Sequence, residues 1–208
     1  LTNAELKGVE LINANLKFAD LIDTSIQYAN LSGARFDYAD LTDASIQFAE
    51  LIGANLYEAR LANADLNGVD LTNAYMALVD LTNAKLIGAD LINTNLYDVD
   101  LTNAILRYAD LTDASILYAN LNGAIFDFAD LTNTNLYGAD LTGAFIYMND
   151  LTGANLDSAI VTNAYFSGNT WSNTEWIDGE IYDSQPPMTD CELVPYAYCA
   201  GADLSYMD

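Results

Sequence analysis

Every fifth residue from Leu1 to Ile181 is apolar, and the series holds through 37 positions without an exception. It opens Leu1, Leu6, Leu11, Leu16, Leu21, Ile26, Leu31, Phe36 and closes Val161, Phe166, Trp171, Trp176, Ile181. Two residues before each stands a small side chain. Of the 33 such positions from Ala4 to Ala164, 32 are Ala, Val or Thr, and Asn149 is the exception. A helix repeats at about 3.6 residues and a flat strand at about 2, so a strict period of five suits neither. It suits a coil with square corners. Each five-residue unit, A-(D/N)-L-x-x, then points one large and one small side chain inward and keeps three positions for the turn and the surface.

The corner position is crowded with Asn3, Gly8, Asn13, Asp23, Gly33, Asp43, Gly53 and Asn63. These residue types accept turn dihedrals that β-branched residues resist. No proline precedes Pro186, as a backbone ladder on every side requires.

These repeats resemble the pentapeptide-repeat family, and the likeness runs over residues 1–181. The resemblance implies an all-β fold, a right-handed quadrilateral parallel β-solenoid with about 20 residues per coil. The chain then makes about nine coils, and at ~4.8 Å between adjacent strands the rod is roughly 43 Å long. Residues 182–208 depart from the repeat and are expected to form an irregular C-terminal cap over the bulky layer Trp171, Trp176 and Ile181. Ala202-Asp203-Leu204-Ser205-Tyr206 reads as one further unit out of register. Leu1 to Leu16 are ordinary repeat, so the N-terminal end is expected to continue upstream or to stack on a partner.

A finer pattern has period ten. Of the 16 residues at multiples of ten from Glu10 to Ile160, 12 are acidic; at the intervening positions only Glu5 and Asp65 are. With about 20 residues per coil these residues fall on two opposite faces. One file contains Glu50, Asp70, Asp90, Asp110, Asp130 and Asp150, and the other reads Asp20, Asp40, Arg60, Asp80, Asp100, Asn120, Asp140, Ile160. Carboxylates stacked about 5 Å apart cost roughly 0.8 kcal/mol per pair in water and should raise one another's pKa values. Two readings stand: a surface for weakly held divalent cations or a basic partner, or a solvated face whose Asp side chains bond the corner backbone. The glycine-aspartate nonapeptide of calcium-binding β-rolls is absent.

The other two faces carry aromatics, among them Phe18, Tyr28, Tyr38, Phe48, Tyr108, Tyr118 and Phe128. Tyr57, Tyr97 and Tyr137 are read as a separate file one coil apart. The tyrosines either stack as a ladder or present a surface to another protein. Asn149 and Asn169 share one column and are expected to hydrogen-bond to each other, or else to loosen the coil.

Composition closes off several functions. The formal net charge is −24, from six Lys+Arg against 30 Asp+Glu, which argues against direct nucleic-acid binding. With no His, no P-loop and no GxGxxG, nothing marks an enzyme or a resident cofactor. No apolar run is long enough to span a membrane, and no signal peptide is visible. Cys191 and Cys199 are two free thiols or, fitting a short polar tail better, a disulfide that implies an oxidising compartment.

Two functions are expected to compete. One is a non-enzymatic scaffold or end-to-end assembling rod outside the cytoplasm (secreted, periplasmic or lumenal), with a cytoplasmic location as the alternative. The other follows from the resemblance: some family members are acidic dimers that mimic B-DNA and bind DNA gyrase, giving quinolone resistance. Those members dimerise through a C-terminal helical module, and some carry projecting loops; neither feature is seen here. Ice binding through the Thr that recurs two residues after the multiples of ten, as at Thr42, Thr72, Thr82 and Thr102, is a minor third option, weakened because Thr occurs in D-L-T rather than T-x-T.

Overall fold

In the computed structural model, which describes residues 1–182 and 184, the repeat becomes a coil that returns to register every 20 residues. Parallel bridges join Glu5 to Ser25, Glu10 to Asn30, Asn15 to Arg35 and Asp20 to Asp40. The same four registers recur up to Asn155 and Glu175. Four bridge files define four sides. We label them by their first outward residues: face I (5, 7, 8), face II (10, 12, 13), face III (15, 17, 18) and face IV (20, 22, 23), each repeating at 20.

Local chemistry explains the five-residue unit. The Ala4 N–H donates to Leu1 O at 2.9 Å and closes a four-residue corner turn. The residue before it, Asn3, has φ 59°. The Asp or Asn at the fifth position starts the next turn: Asp40 Oδ1 accepts the Thr42 N–H at 3.1 Å, and Asp70 Oδ1 accepts the Thr72 N–H at 2.9 Å. Between coils, Leu6 N–H donates to Ser25 O at 2.7 Å while Ser25 N–H donates to Ala4 O at 2.9 Å. Backbone polar groups are thus consumed within the stack, which lets the interior stay apolar.

The inward columns are buried from Leu21 onward, with Leu61, Leu66, Leu71 and Leu81 at 0% exposure. Each large side chain so buried contributes roughly 1.5–3 kcal/mol. The small column sits at the corners, where a larger side chain would hold the turn open. Where Thr replaces Ala, the hydroxyl finds a partner: Thr24, Thr94, Thr134 and Thr174 donate to Leu1, Leu71, Leu111 and Leu151 O at 3.0, 2.9, 2.9 and 2.7 Å. An interior void of about 10 Å³ between Phe126 and Phe166 is lined by Leu, Ile and Phe side chains.

Two expectations change near the C-terminal end. Asn149 and Asn169 do hydrogen-bond to each other, but through the Asn149 backbone N–H rather than between the two side-chain amides. Asn149 Oδ1 accepts the Ala129 N–H, Asn169 Oδ1 accepts the Asn149 N–H, and Asn169 Nδ2 donates to Ile146 O, each at 2.8 Å. A side-chain amide is long enough to reach the backbone of the preceding coil: Asn169 engages both the Asn149 N–H and Ile146 O, while Asn149 shares the Ala129 N–H with Phe126 O. The flanking segments lengthen into parallel strands, β1 (Phe145–Tyr147) and β2 (Tyr165–Ser167).

Ile181 is the second change. It is in phase with the apolar series yet 63% exposed. After Trp176 the chain reverses, with Trp176 N–H donating to Glu180 O. β4 (Ile181–Tyr182) then pairs antiparallel with β3 (Thr174–Glu175). The last inward layer is therefore Phe166, Trp171 and Trp176, whose rings meet at 5.2–5.8 Å. Cys191, Cys199, the out-of-register unit at 202–206 and the expected cap beyond residue 184 lie outside the described residues. Among the described residues no helix is long and apolar enough to cross a membrane.

Candidate interaction surfaces

The 20-residue register sorts the charge by face. Face II carries eight acids and no base: Glu10, Glu50, Asp70, Asp90, Asp110, Asp113, Asp130 and Asp150. Face IV carries seven acids and one base, Arg60, which bonds Asp40 at 2.9 Å. Face III, from Asn15 to Glu175, has five acids and two bases. Face I has three of each: Glu5, Asp65 and Asp127 against Lys7, Lys85 and Arg107. One side of a chain of net charge −24 is thus electrically neutral.

The acidic file is brought into one line, with Glu50, Asp70, Asp90, Asp110, Asp130 and Asp150 bridged successively. Its oxygens already have work. Asp70, Asp110, Asp130 and Asp150 each accept the N–H of the Thr two residues on, at 2.9–3.0 Å. Among the described residues no group of three or more His, Cys, Asp or Glu is arranged to hold a metal ion.

Neighbours decide the direction in which a carboxyl of these files shifts. Burial first, and then the Asp70 and Asp110 charges, hold Asp90 above the usual carboxylate range. Asp140 sits between Asn120 and Ile160 in its file and shifts the other way. Burial alone would raise it, but hydrogen bonds from the Thr142 hydroxyl and backbone and from Asn122 outweigh that. Asp20 is likewise lowered, by the Thr2 hydroxyl and the Ile22 N–H.

The aromatic residues occupy a place that propensity argues against. Phe18, Tyr28, Tyr38, Phe48, Tyr108, Tyr118 and Phe128 stand at the corner with φ between 57° and 61°. That conformation costs a residue with a Cβ about 1–2 kcal/mol. Ring contacts along the rod offset it. Phe18 and Tyr38 stack at 5.1 Å, Tyr28 and Phe48 at 5.3 Å, Tyr108 and Phe128 at 5.3 Å, contacts worth about 0.5–1.5 kcal/mol each.

Tyr57, Tyr97 and Tyr137 are two coils apart, not one, because Ala77 and Leu117 stand between them. They cannot stack on one another. Instead each meets a corner ring edge-on: Tyr57 with Tyr38 at 5.6 Å, Tyr97 and Tyr137 with Tyr118 at 5.9 and 5.7 Å. Tyr57 also stacks on Tyr75 at 6.1 Å. A hydrogen bond with Glu58, then burial, pushes the Tyr57 phenol up to about 12. Tyr38, Tyr57, Tyr97, Tyr118 and Tyr137 therefore lie on face III, and Tyr28 and Tyr108 on face I.

Sequence reasoning missed the upper half of face I. Ile105, Ile125 and Phe145 succeed one another at the fifth position, where Asp or Asn is the rule. Tyr108, Phe128 and Met148 run beside them, at 62%, 46% and 48% exposure. A search for apolar residues at period 20 in the outward slot would have found them.

Comparison with known proteins agrees with this architecture. The pattern described as pentapeptide repeats matches in 8 copies over residues 1–37, 39–76, 80–116 and 118–145. The structure resembles HetL, a pentapeptide-repeat protein involved in heterocyst differentiation regulation from the cyanobacterium Nostoc sp. strain PCC 7120. The identity is 32%, over 88% of this chain and 91% of that one, with a TM-score of 0.65. It also resembles full-length QnrB1, a plasmid-mediated fluoroquinolone resistance protein, at 17% identity over 84% of this chain and 87% of that one, TM-score 0.51. Rfr23 from the cyanobacterium Cyanothece 51142 is 38% identical over 47% of this chain and 63% of its own, TM-score 0.39. Nothing among curated proteins matches the sequence. The chain belongs to the pentapeptide-repeat family, and its fold is that family's right-handed β-helix.

Proposed function

We propose that this pentapeptide-repeat chain is a non-enzymatic interaction module, a stiff rod that docks another protein through its aromatic-bearing faces. The partition of charge carries the reading. Faces II and IV hold fifteen carboxylates against one base, while faces I and III collect the rings. Rings on faces whose charges are partly or wholly balanced are the cheapest part of such a surface to dehydrate on binding. HetL, a solved protein at 32% identity, is described as involved in heterocyst differentiation regulation, and a regulatory contact is what we assign here.

The proposal includes about nine coils, a cap formed by residues 182–208, and an extracytoplasmic location. End-to-end stacking is part of it, since the first coil offers the same parallel register as every coil above it. The acidic files are proposed to hold divalent cations loosely, as a counterion atmosphere rather than as a coordinated site.

Photo-crosslinking tests the docking surface. A benzophenone side chain placed at Tyr97 on face III should capture a partner in the source cell, and one at Thr132 on face II should not. Capture from position 132 alone would overturn the reading. A second reading, mimicry of B-DNA toward DNA gyrase, draws on the two opposed carboxylate faces. A supercoiling assay separates the two, because a mimic inhibits gyrase in proportion to its concentration and a docking rod leaves supercoiling unchanged.

A further inference from the structure

Face I is neutral and most apolar between Lys85 and Tyr165. Any macromolecule meeting this chain elsewhere meets carboxylates; a second copy, itself at −24, can approach only where the charge vanishes. We propose that two copies associate face I to face I, antiparallel, about a two-fold axis midway between Ile105 and Ile125. The inference deepens the interaction-module reading by naming one partner.

The outward residues of this face are self-complementary under that operation. Such an axis reverses the order of coils and keeps each column opposite itself. Ile105 then faces Ile125 of the second copy. Arg107 faces Asp127, so the pair that now closes within the chain at 3.1 Å is matched by the same pair across the interface, twice over. Lys85 faces the exposed Phe145 ring, a cation over an aromatic. Gly88 faces Met148, and nothing lies within 4 Å of the space a side chain would take at Gly88, so the glycine leaves room for the methionine. No acid faces an acid. Moving the axis by half a coil to Ile125 itself would set Asp127 against Asp127, so the charges select the register.

Six coils overlap in this arrangement, a patch of about 29 by 13 Å at ~4.8 Å between strands and ~3.3 Å per residue. That is about 400 Å² per copy, half of the ~800 Å² typical of stable complexes. The dimer is therefore weak, with a Kd between about 10 µM and 1 mM. Added salt strengthens it by screening the repulsion between the other faces.

Sedimentation equilibrium tests the proposal, with far-ultraviolet circular dichroism to confirm that each variant is folded. The natural chain should rise from monomer at about 1 µM towards twice its mass at about 1 mM. Arg107→Asp and Asp127→Arg should each weaken self-association at least tenfold, because each sets like charges opposite one another. An equal mixture of the two variants should recover the natural affinity, since every facing pair is again opposite in sign. Both variants lose the pair within the chain, so recovery on mixing reports only the contact between copies. Thr132→Arg on face II should leave the dimer intact. A chain monomeric to 1 mM, a dimer that both variants keep, or a mixture that fails to recover overturns the proposal. Failure here with capture at Tyr97 on face III would leave the interaction-module reading standing, so the two are judged separately.

Discussion

The Asn149 side chain crosses from one coil to the next, its Oδ1 accepting the Ala129 N–H at 2.8 Å, while its Nδ2 is buried without a partner. Ala129 N–H already donates to Phe126 O at 2.9 Å, so it keeps a partner if the amide is removed. Asn149→Ala should therefore change stability by no more than about 1 kcal/mol, the lost hydrogen bond being set against relief of the orphaned donor. Asn149→Asp buries a carboxylate with no cation near it and should cost about 3 kcal/mol or more at neutral pH. Urea unfolding of the two variants checks the contrast; equal losses would show that the amide acts only by filling space.

Gly68 and Gly88 lie in one column one coil apart, with φ of 64° and 63°. A Cβ at Gly68 would sit 2.7 Å from two carbons of the Phe48 ring, whereas at Gly88 it meets nothing within 4 Å. Gly88→Ala should cost about 1 kcal/mol, the backbone term alone. Gly68→Ala should cost about 1–2 kcal/mol more, because the ring must leave its place. The difference between the two denaturation free energies isolates the ring-over-glycine contact from the strain of the turn. A difference near zero would mean the Phe48 ring swings aside freely.

The inward columns were legible in the sequence because burial on every side of a square coil leaves a period that no other element has. The corner aromatics were legible as outward residues but not as left-handed ones. Tyr28 and Phe48 violate the propensity of the position, and only the stacking between coils makes it tolerable. Ile105, Ile125 and Phe145 escaped notice since a spacing of 20 is invisible at period five or ten. Ile181 kept the phase of the series after the backbone had turned back at Trp176. Nothing in an apolar period records a reversal of direction, so the end of the coil could not be read from it.

Asp90 and Asp140 should respond to neutralisation with opposite sign. Asp90 is raised by burial and by the Asp70 and Asp110 charges, so its folded form holds a proton more tightly than the unfolded chain. The penalty it carries is absent at low pH and appears as pH rises through the carboxylate range. Asp90→Asn should stabilise the chain at pH 7, by about 1 kcal/mol at low salt and less at high salt. Asp140, held low by Thr142 and Asn122 against its burial, contributes stability that is present at pH 7 and lost on acidification. Asp140→Asn should therefore destabilise at pH 7 and approach neutrality in acid. Melting temperatures of both variants between pH 3 and pH 7, about the range in which carboxyls titrate, decide the matter. Shifts of the same sign would refute the neighbour account.

Asp37 supplies the most buried charge of the described residues, at 6% exposure. Lys17 Nζ lies 3.3 Å from its Oδ1 and Arg35 3.4 Å, both long cations reaching in from face III, and Asn55 Nδ2 donates from 3.5 Å. Burial by itself would raise this carboxyl, yet the bonds from Arg35, its own backbone and Lys17 hold it below the ordinary value. Its contribution is thus intact at neutral pH and disappears as pH falls through its lowered folded value. Oδ2 has no partner, so the ionised form is only half satisfied, and the net gain is smaller than two salt bridges suggest. Asp37→Asn should cost about 1–2 kcal/mol at pH 7. Asp37→Leu should cost more, since it leaves two cations around an apolar group, and Lys17→Met added to it should recover part of the loss. Chemical unfolding of this series at pH 7 and again below pH 3.5, near the lower edge of carboxylate titration, gives the check: the Asn variant and the natural chain should converge in acid, and a gap that persists there would show that geometry rather than charge sustains the site.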